Sequence, residues 1–246
     1  MNHYQTLLHD AAAGKKKFAV LIDPDKYSLE YLSRVITLAV NAHVDYFFLG
    51  GSLLIRDSMD QFIAYIKENS EIPVLLFPGN NIQLNNQADG ILLLSLISGR
   101  NPDMLIGRHV ISAPYLKASN LEIISTGYML IESGRTTAVT YMSNTFPIPS
   151  HKADIASCTA MAGEMLGLKL IYMDAGSGAQ NPVPAAMIRK VKESIGIPLI
   201  IGGGITTPEL ANAAFESGAD LVVVGNAIER DPNLITGIAK IAMLIP

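Results

Sequence analysis

Short apolar runs recur along the chain, and most are followed by a segment with the apolar and polar faces of an amphipathic helix. The runs are continuously apolar rather than alternating, which is typical of parallel strands that are covered on both faces. The pattern predicts helices over residues 28–41, with Ser28 as the cap, over 56–69 and over 208–217. It predicts eight strands, over residues 18–23, 46–49, 73–77, 90–96, 121–126, 170–174, 199–201 and 221–224.

Eight strands of this kind within 246 residues predict an α/β protein that forms a closed TIM-type (β/α)8 barrel. An open, doubly wound sheet is the alternative. Because no Pro- or Ser-rich linker divides the sequence, residues 1–246 are expected to form a single domain.

Two segments depart from the regular repeat. Residues 78–89 are too few, and too rich in Asn and Gly, for a barrel helix with its two loops. We therefore expect the helix after strand 3 to be replaced by a loop, which would leave one flank of the barrel open. After strand 5 comes a long insert, residues 127–148, in which residues 128–132 and 136–142 predict a β-hairpin around Ser133-Gly134-Arg135.

Composition and charge exclude several classes of protein. The net charge is −4 and no basic stripe is present, which argues against a nucleic-acid partner. A lone cysteine, Cys158, excludes a disulfide framework and a cysteine-based metal cluster. His109, His151 and Arg100 show no pattern beyond that of surface or core groups. With no apolar run long enough for a membrane span and no signal-peptide core, we expect a soluble, cytoplasmic protein.

Glycine-rich turns follow the last three predicted strands, at residues 175–179, 202–206 and 225–226. Glycine lets the backbone approach an anion and point N–H groups at it, and a following helix adds a favourable dipole. One such turn alone would be interpreted as a tight βα connection. Three at consecutive strand ends predict a phosphate site, because barrel enzymes commonly bind phosphate with the loops after strands 7 and 8.

Acidic and hydroxyl side chains follow the first two strands. Asp23 ends strand 1 within the turn Asp23-Pro24-Asp25-Lys26, and Ser52 follows strand 2. Carboxylate and hydroxyl oxygens suit Mg²⁺, and Lys26 could contact a diphosphate. The alternatives are a capped turn with a surface charge pair at Asp23, and a helix cap at Ser52.

Asp174 ends strand 6 directly before the first glycine turn. It is the candidate general base for a substrate hydroxyl, because it would lie beside the bound phosphate. The alternative is an aspartate that only accepts hydrogen bonds from loop amides. Tyr172 points to the same side of the strand and could contact substrate or fill the barrel core.

Several motifs together resemble one family, the geranylgeranylglyceryl phosphate synthases. The resemblance covers essentially the whole chain, and it is to the second of the family's two broad groups, which includes archaeal and some bacterial members. The motifs that carry it are residues 141–149 (YMSNTFPIP), 154–156 (DIA), 172–179 (YMDAGSGA), 23–26 (DPDK), 50–52 (GGS), 202–204 (GGG) and 225–226 (GN).

The resemblance implies a prenyltransferase of ether phospholipid biosynthesis. The 3-hydroxyl of sn-glycerol 1-phosphate would attack C1 of a polyprenyl diphosphate, with geranylgeranyl diphosphate as the expected donor, and diphosphate would leave. It also implies Mg²⁺ on Asp23 and Ser52, with Lys26 near the diphosphate. The implied binding site for sn-glycerol 1-phosphate comprises Tyr172, Met173, Asp174, Ala175, Gly176, Ser177, Gly178, Gly203, Gly204, Gly225 and Asn226.

One position departs from the family pattern, which usually has glutamate where this chain has Asp174. The carboxylate is retained but withdrawn by about one methylene, roughly 1.5 Å. An open flank of the barrel would hold the apolar prenyl tail. A peripheral membrane contact is compatible with the predicted absence of a transmembrane segment. We expect a homo-oligomer, either a dimer or a hexamer.

Two other functions remain as alternatives. One is another phosphate-binding barrel enzyme, such as a phosphosugar isomerase or an enzyme of the thiamin or indole pathways. The other is a non-catalytic binder of prenyl phosphates, in which Asp174 would have no role.

Overall fold

The computed structural model describes residues 2–56 and 58–245. Its core is a closed barrel of eight parallel strands in sequence order, in which β1 pairs with β8. This confirms the predicted barrel and excludes the open sheet. The strands are β1 Lys17–Ile22, β2 Tyr46–Leu49, β3 Val74–Leu76, β4 Gly90–Leu96, β5 Glu122–Leu130, β6 Leu170–Asp174, β7 Leu199–Gly202 and β8 Leu221–Val224.

Helices surround the barrel, and their apolar faces cover the outer faces of the strands. Ser28 caps the helix after β1, as predicted, and its hydroxyl accepts a hydrogen bond from the backbone N–H of Tyr31 at 3.1 Å. The helices are α1 His3–Ala12, α2 Leu29–Asn41, α3 Met59–Asn69, α4 Arg108–Ala118, α5 Ala138–Ser143, α6 Ala153–Met165, α7 Ala185–Lys192, α8 Pro208–Glu216, α9 Asn226–Arg230 and α10 Leu234–Leu244. None of these helices is both long and apolar enough to cross a bilayer.

Helix α1, which is not among the helices predicted from the sequence, closes the amino-terminal end of the barrel. Leu7 packs with the side chains of the barrel interior. The Glu122 carboxylate at the start of β5 accepts hydrogen bonds from the backbone N–H groups of His3, at 2.6 Å, and Tyr4, at 2.9 Å. The opposite, carboxyl-terminal end of the barrel is therefore the end open to ligands.

Between β3 and β4 the chain forms one 3₁₀ turn, Asn81–Gln83, in place of a barrel helix. The predicted loop is therefore confirmed. Buried Gln83 fixes it to the end of β2, because its amide donates to the carbonyl of Gly51 at 2.8 Å and accepts from the N–H of Gly79 at 3.2 Å.

The predicted β-hairpin is wrong. Residues 128–130 continue β5, where Tyr128 pairs with Tyr172 of β6, and the second half of the proposed hairpin forms helix α5. Only one isolated bridge, between Ile131 and Ile148, links the two ends of the insert within the described residues. The insert instead covers part of the barrel mouth.

Candidate active site

A cavity of about 450 Å³ occupies the mouth of the barrel, where the strands end. It brings together the ends of β1, β2, β6, β7 and β8. Two predicted site residues, Met173 and Ala175, do not line it, because their side chains are buried in the layer between strands and helices. The predicted residues that line it are Asp23, Lys26, Ser52, Tyr172, Asp174, Gly176, Ser177, Gly178, Gly203, Gly204, Gly225 and Asn226.

Left-handed backbone shapes two of the glycine turns. Gly176 and Gly178 have φ of +92° and +70°, and Gly203 and Gly204 have φ of +78° and +71°. Residues other than glycine rarely adopt these backbone angles. Gly204 also packs against backbone, because a Cβ there would lie 2.7 Å from the nitrogen of Pro182. The first two turns therefore depend on glycine for their own folding, whatever they bind.

Gly225 differs from these glycines, because its φ of −120° is not left-handed. A Cβ there would lie 3.3 Å from the nearest atoms of Leu21, which is a tight but not impossible contact. The next residue, Asn226, joins two of the turns: its side-chain oxygen accepts from the hydroxyl of Ser177 at 2.7 Å and from the N–H of Gly178 at 2.8 Å. The third turn is thus fixed by side-chain hydrogen bonds.

Asp174 lies on the floor of the cavity and is only 8% exposed. One carboxylate oxygen accepts the hydroxyl of Tyr128 at 2.5 Å, and the other accepts the N–H of Gly176 at 2.6 Å. Burial raises the pKa of Asp174 from its ordinary value, while these two hydrogen bonds act against that increase. A carboxylate with a raised pKa is a better proton acceptor than a surface aspartate.

Asp23 and Ser52 lie at the other side of the same cavity. The Asp23 carboxylate accepts the N–H of Asp25 at 3.1 Å and lies 3.1 Å from the Lys26 ammonium. Gly51 lets β2 pass directly beside it, since a Cβ there would lie 3.1 Å from the carboxylate. Lys26 also lies 3.5 Å from the Glu229 carboxylate, so two acidic groups share its charge.

A second, narrower cavity of about 110 Å³ opens where the barrel lacks its helix. We call it the side groove. Its walls are largely apolar and include Ile91, Leu94 and Leu96 of β4 and Met104 before α4. The side groove adjoins the mouth cavity, because five residues line both: Gly51, Ser52, Phe77, Tyr128 and Val139.

Tyr128, Arg135, Glu229 and His109 are among the residues of these cavities for which the sequence predicts no role in the site. Tyr128 was assigned to a hairpin, Arg135 to its turn, and Glu229 to no site. His109, for which the sequence predicts no role, lines the side groove. One of its ring nitrogens lies 3.1 Å from the Ser95 hydroxyl, and burial lowers the pKa of the imidazole. Only the correct register of β5 would have placed Tyr128 opposite Tyr172 and so beside Asp174.

Comparison with known proteins supports one family over nearly the full length of the chain. The model of the PcrB family matches residues 11–242. A geranylgeranylglyceryl phosphate synthase of Spirosoma linguale is 52% identical over 237 residues, covering 96% of this chain and 95% of the relative. One of Thermococcus kodakarensis is 40% identical, covering 92% of this chain and 89% of the relative.

Solved structures give the same result. The crystal structure of (S)-3-O-geranylgeranylglyceryl phosphate synthase from Thermoplasma acidophilum, in complex with its substrate sn-glycerol-1-phosphate, has a TM-score of 0.93 and 31% identity, with 99% of both chains covered. An N-acetylmannosamine-6-phosphate 2-epimerase from Clostridium perfringens shares only the fold, at a TM-score of 0.56 and 16% identity. Because the family model and the relatives span nearly all of it, this chain belongs to the PcrB family and, with these relatives, to the geranylgeranylglyceryl phosphate synthase family.

Proposed function

We propose that this protein joins sn-glycerol 1-phosphate to a polyprenyl diphosphate by an ether bond, with geranylgeranyl diphosphate as the expected donor. The hydroxyl oxygen at position 3 of the glycerol forms a bond to C1 of the prenyl chain. The bond from C1 to the diphosphate oxygen breaks, and its electron pair leaves with the diphosphate. The hydroxyl proton passes to the Asp174 carboxylate.

The observation that carries this proposal is the junction between the two cavities. A polar mouth lined by glycine turns and carboxylates meets an apolar side groove at Ser52, Phe77 and Tyr128. Such a junction fits a substrate that has a charged head and a long apolar tail, with the reacting carbon at the boundary. An isomerase of small phosphosugars would leave the side groove without a use.

Asp174 accepts the proton in this proposal, and Tyr128 positions the Asp174 carboxylate. The carboxylate faces the mouth cavity between the phosphate turns and the groove junction. The Tyr128 hydroxyl and the N–H of Gly176 hold it in one orientation, so the acceptor oxygen does not have to reorganise during the reaction. Tyr172, stacked on Phe77 with 5.1 Å between ring centroids, forms the apolar floor beneath it.

The residues that follow β1 and β2 fit Mg²⁺. Within the described residues no three His, Cys, Asp or Glu side chains come together as a metal site. Mg²⁺, however, is commonly held by one or two carboxylates together with substrate phosphates and water. Asp23 supplies such a carboxylate and Ser52 a hydroxyl, both facing the mouth cavity. When bound, the ion would neutralise the leaving diphosphate, and Lys26 would add a second positive charge beside it.

The direct test is incubation with labelled sn-glycerol 1-phosphate and prenyl diphosphates of several lengths, with the products resolved by mass. We expect one ether product and one diphosphate released per turnover. Tight binding of the prenyl diphosphate without turnover would instead indicate a non-catalytic binder. Conversion of a phosphosugar without any prenyl donor would indicate an isomerase.

Replacing Gly225 with alanine tests the phosphate turns at a glycine whose φ is negative, so the left-handed strain expected at Gly176 or Gly204 does not arise. The new methyl group should crowd the approach of the phosphate. We expect KM for sn-glycerol 1-phosphate to rise about tenfold, which corresponds to about 1.4 kcal/mol, and KM for the prenyl donor to stay within about twofold. Equal increases in both constants would show that Gly225 serves folding rather than phosphate binding.

We also propose that the protein is a cytoplasmic homo-oligomer, a dimer or a hexamer. Helix α4 exposes large apolar side chains to solvent, among them Val110, Ile111 and Tyr115, and a second copy of the chain would cover them. Light scattering at several protein concentrations distinguishes a dimer from a hexamer, and a monomer at all of them would contradict the proposed homo-oligomer.

A peripheral membrane contact is part of the same proposal. Phe146 and Ile82, which are more than 90% exposed, would give a membrane surface an apolar contact.

A further inference from the structure

The segment after β5 runs directly along the first phosphate turn. A Cβ on Gly134 would lie 2.8 Å from the side-chain nitrogen of Asn181, and a Cβ on Gly176 would lie 2.5 Å from the hydroxyl of Thr137. The backbone N–H of Asn181 donates to the carbonyl of Ser133 at 3.0 Å. These contacts fix residues 133–137 against residues 176–181, and so make the segment a wall of the phosphate site.

Arg135 lies in the middle of this wall, and its guanidinium lies over Gly178. A Cβ on Gly178 would be 2.7 Å from a terminal nitrogen of Arg135. The side chain lines the mouth cavity and is exposed. Within residues 2–56 and 58–245, none of the ion pairs involves Arg135, whereas Lys26 is paired with both Asp23 and Glu229. Arg135 therefore has no acidic partner among the described residues, and its guanidinium can pair with an anionic ligand.

We propose that Arg135 is a substrate-binding residue that clamps the phosphate of sn-glycerol 1-phosphate against the glycine turns. The inference rests on the proposed function and adds to it a side chain from outside the phosphate turns. Guanidinium groups bind phosphate through two parallel, charge-assisted hydrogen bonds. The glycine turns carry no positive charge, and the N–H groups of Gly176 and Gly178 already donate to Asp174 and Asn226. A phosphate dianion there therefore gains most from a nearby cation.

The position of Arg135 indicates that it binds sn-glycerol 1-phosphate and not the prenyl diphosphate. Gly178, which the guanidinium covers, is hydrogen-bonded to Asn226 of the third phosphate turn. The residues proposed for the diphosphate, Asp23 and Lys26, follow β1 rather than β6 and are already paired with each other. Arg230 also lines the cavity, at the end of α9, but among the described residues outside 177–179 a Cβ on Gly178 would lie within 4 Å of Arg135 alone.

The test is calorimetric binding of sn-glycerol 1-phosphate to the full-length protein and to three variants. Arg135→Ala should weaken binding about 10- to 100-fold, the range for a hydrogen-bonded charge, and Arg135→Lys should recover part of the loss. Arg189→Ala is the control, because Arg189 is an exposed arginine on α7 outside the cavity. It removes the same charge and should leave binding unchanged.

Two further measurements distinguish phosphate binding by Arg135 from a purely structural role in holding residues 133–137 in place. Kinetically, Arg135→Ala should raise KM for sn-glycerol 1-phosphate by a similar factor, with kcat and KM for the prenyl donor within about twofold of the parent. The salt dependence of Kd should also become shallower, since one ion pair has been removed. The melting temperature should not change.

The outcomes are distinguishable from failure of the proposed function. If the parent protein binds sn-glycerol 1-phosphate and Arg135→Ala binds it equally well, the clamp is wrong and the proposed function stands. If Arg135→Ala raised only KM for the prenyl diphosphate, the phosphate clamp would also be wrong, because Arg135 would then bind the other substrate. A parent protein that does not bind sn-glycerol 1-phosphate would overturn both proposals.

Discussion

Asp174→Asn should lower turnover by roughly 10²–10⁴-fold, the usual contribution of a positioned proton acceptor. The amide oxygen of asparagine can still accept the N–H of Gly176, and the Tyr128 hydroxyl can rotate to accept from the amide nitrogen. The hydrogen bonds that hold this position in the parent, at 2.5 and 2.6 Å, therefore have replacements, and the fold should survive. Single-turnover kinetics with both substrates saturating measure the loss.

Binding of sn-glycerol 1-phosphate should survive in the same variant, because the glycine turns and Arg135 make most of the proposed contacts. Tyr128→Phe is the matched control. It removes one hydrogen bond to the carboxylate but keeps the aromatic contacts of Tyr128 with Phe77 and Tyr172. Full activity in Asp174→Asn would leave Asp174 as a brace for its loop, with the proton passing to water or to the diphosphate.

Asp174→Glu asks whether the loop is fitted to the shorter side chain. Both aspartate oxygens already have close partners, and Gly203 leaves little space, since a Cβ there would lie 2.6 Å from one of them. An added methylene should displace the acceptor oxygen by about an ångström, which can cost on the order of 10²-fold in rate. Parent-like activity would show instead that the loop accommodates the glutamate usual in the family.

The pH dependence of kcat/KM follows from the same carboxylate. Because burial raises the pKa of Asp174 above its ordinary value, the base becomes protonated at a higher pH than an exposed aspartate would. Activity should fall as pH decreases through that raised pKa. In Tyr128→Phe the acidic limb should move to still higher pH, because the Tyr128 hydrogen bond acts to lower the pKa. An acidic limb unchanged in both Tyr128→Phe and Asp174→Asn would exclude Asp174 as its source.

The barrel could be predicted from the sequence because its strands are buried on both faces. Runs such as residues 221–224 are wholly apolar, so their pattern does not depend on which side chain faces which neighbour. The missing helix after β3 was also predictable, since a loop of twelve residues rich in Asn and Gly has no room for it. Chain length and composition decide both features, and neither requires knowledge of distant contacts.

The insert after β5 could not be predicted in the same way. The sequence predicts that the fifth strand ends at residue 126, before Gly127, but Gly127 lies inside β5. The strand needs glycine there because the terminal methyl group of Ile171 occupies the space that a Cβ would fill. Thr136 and Thr137 have β-branched side chains typical of strands, yet the chain enters helix α5 while packed against Gly176. Long-range packing overrode local preference at both points, and it concealed Tyr128 and Arg135 from the sequence analysis.

The site residues divide along the same line. Residues at the ends of strands, such as Asp23, Asp174 and Gly225, could be placed from topology alone, because parallel strands of a barrel all end at one mouth. Residues that reach the mouth from an insert or a helix could not. Met173 shows a second limit of the sequence-based prediction. The family motif includes every residue of the strand end, but alternate side chains of a strand point to opposite faces, and that of Met173 points towards the helices.

Asp23→Asn should lower kcat/KM by about 100-fold or more, because the loss of a metal's charge stabilisation is worth about 3 kcal/mol or more. The amide is close in size and can still accept the N–H of Asp25, while Lys26 keeps its second partner, Glu229. The fold should therefore be retained, and excess Mg²⁺ should restore little activity, since a neutral amide binds a hard cation poorly. Ser52→Ala, which removes only a neutral ligand, should cost less and respond to added Mg²⁺.

Binding of the ion itself can be measured apart from turnover, by titrating Mn²⁺ into the protein with inorganic diphosphate and recording the spin-resonance signal of free Mn²⁺. Asp23→Asn should weaken this binding. Glu68→Gln should leave it unchanged: it removes one negative charge from an exposed position on α3, outside the mouth cavity. Equal Mn²⁺ binding by parent and Asp23→Asn would move the metal away from β1. If Asp23→Asn turned over at the parent rate as well, the carboxylate would be no more than the partner of Lys26. A metal ion held by Asp23 would lose its charged ligand in this variant, and turnover that depended on the ion would fall.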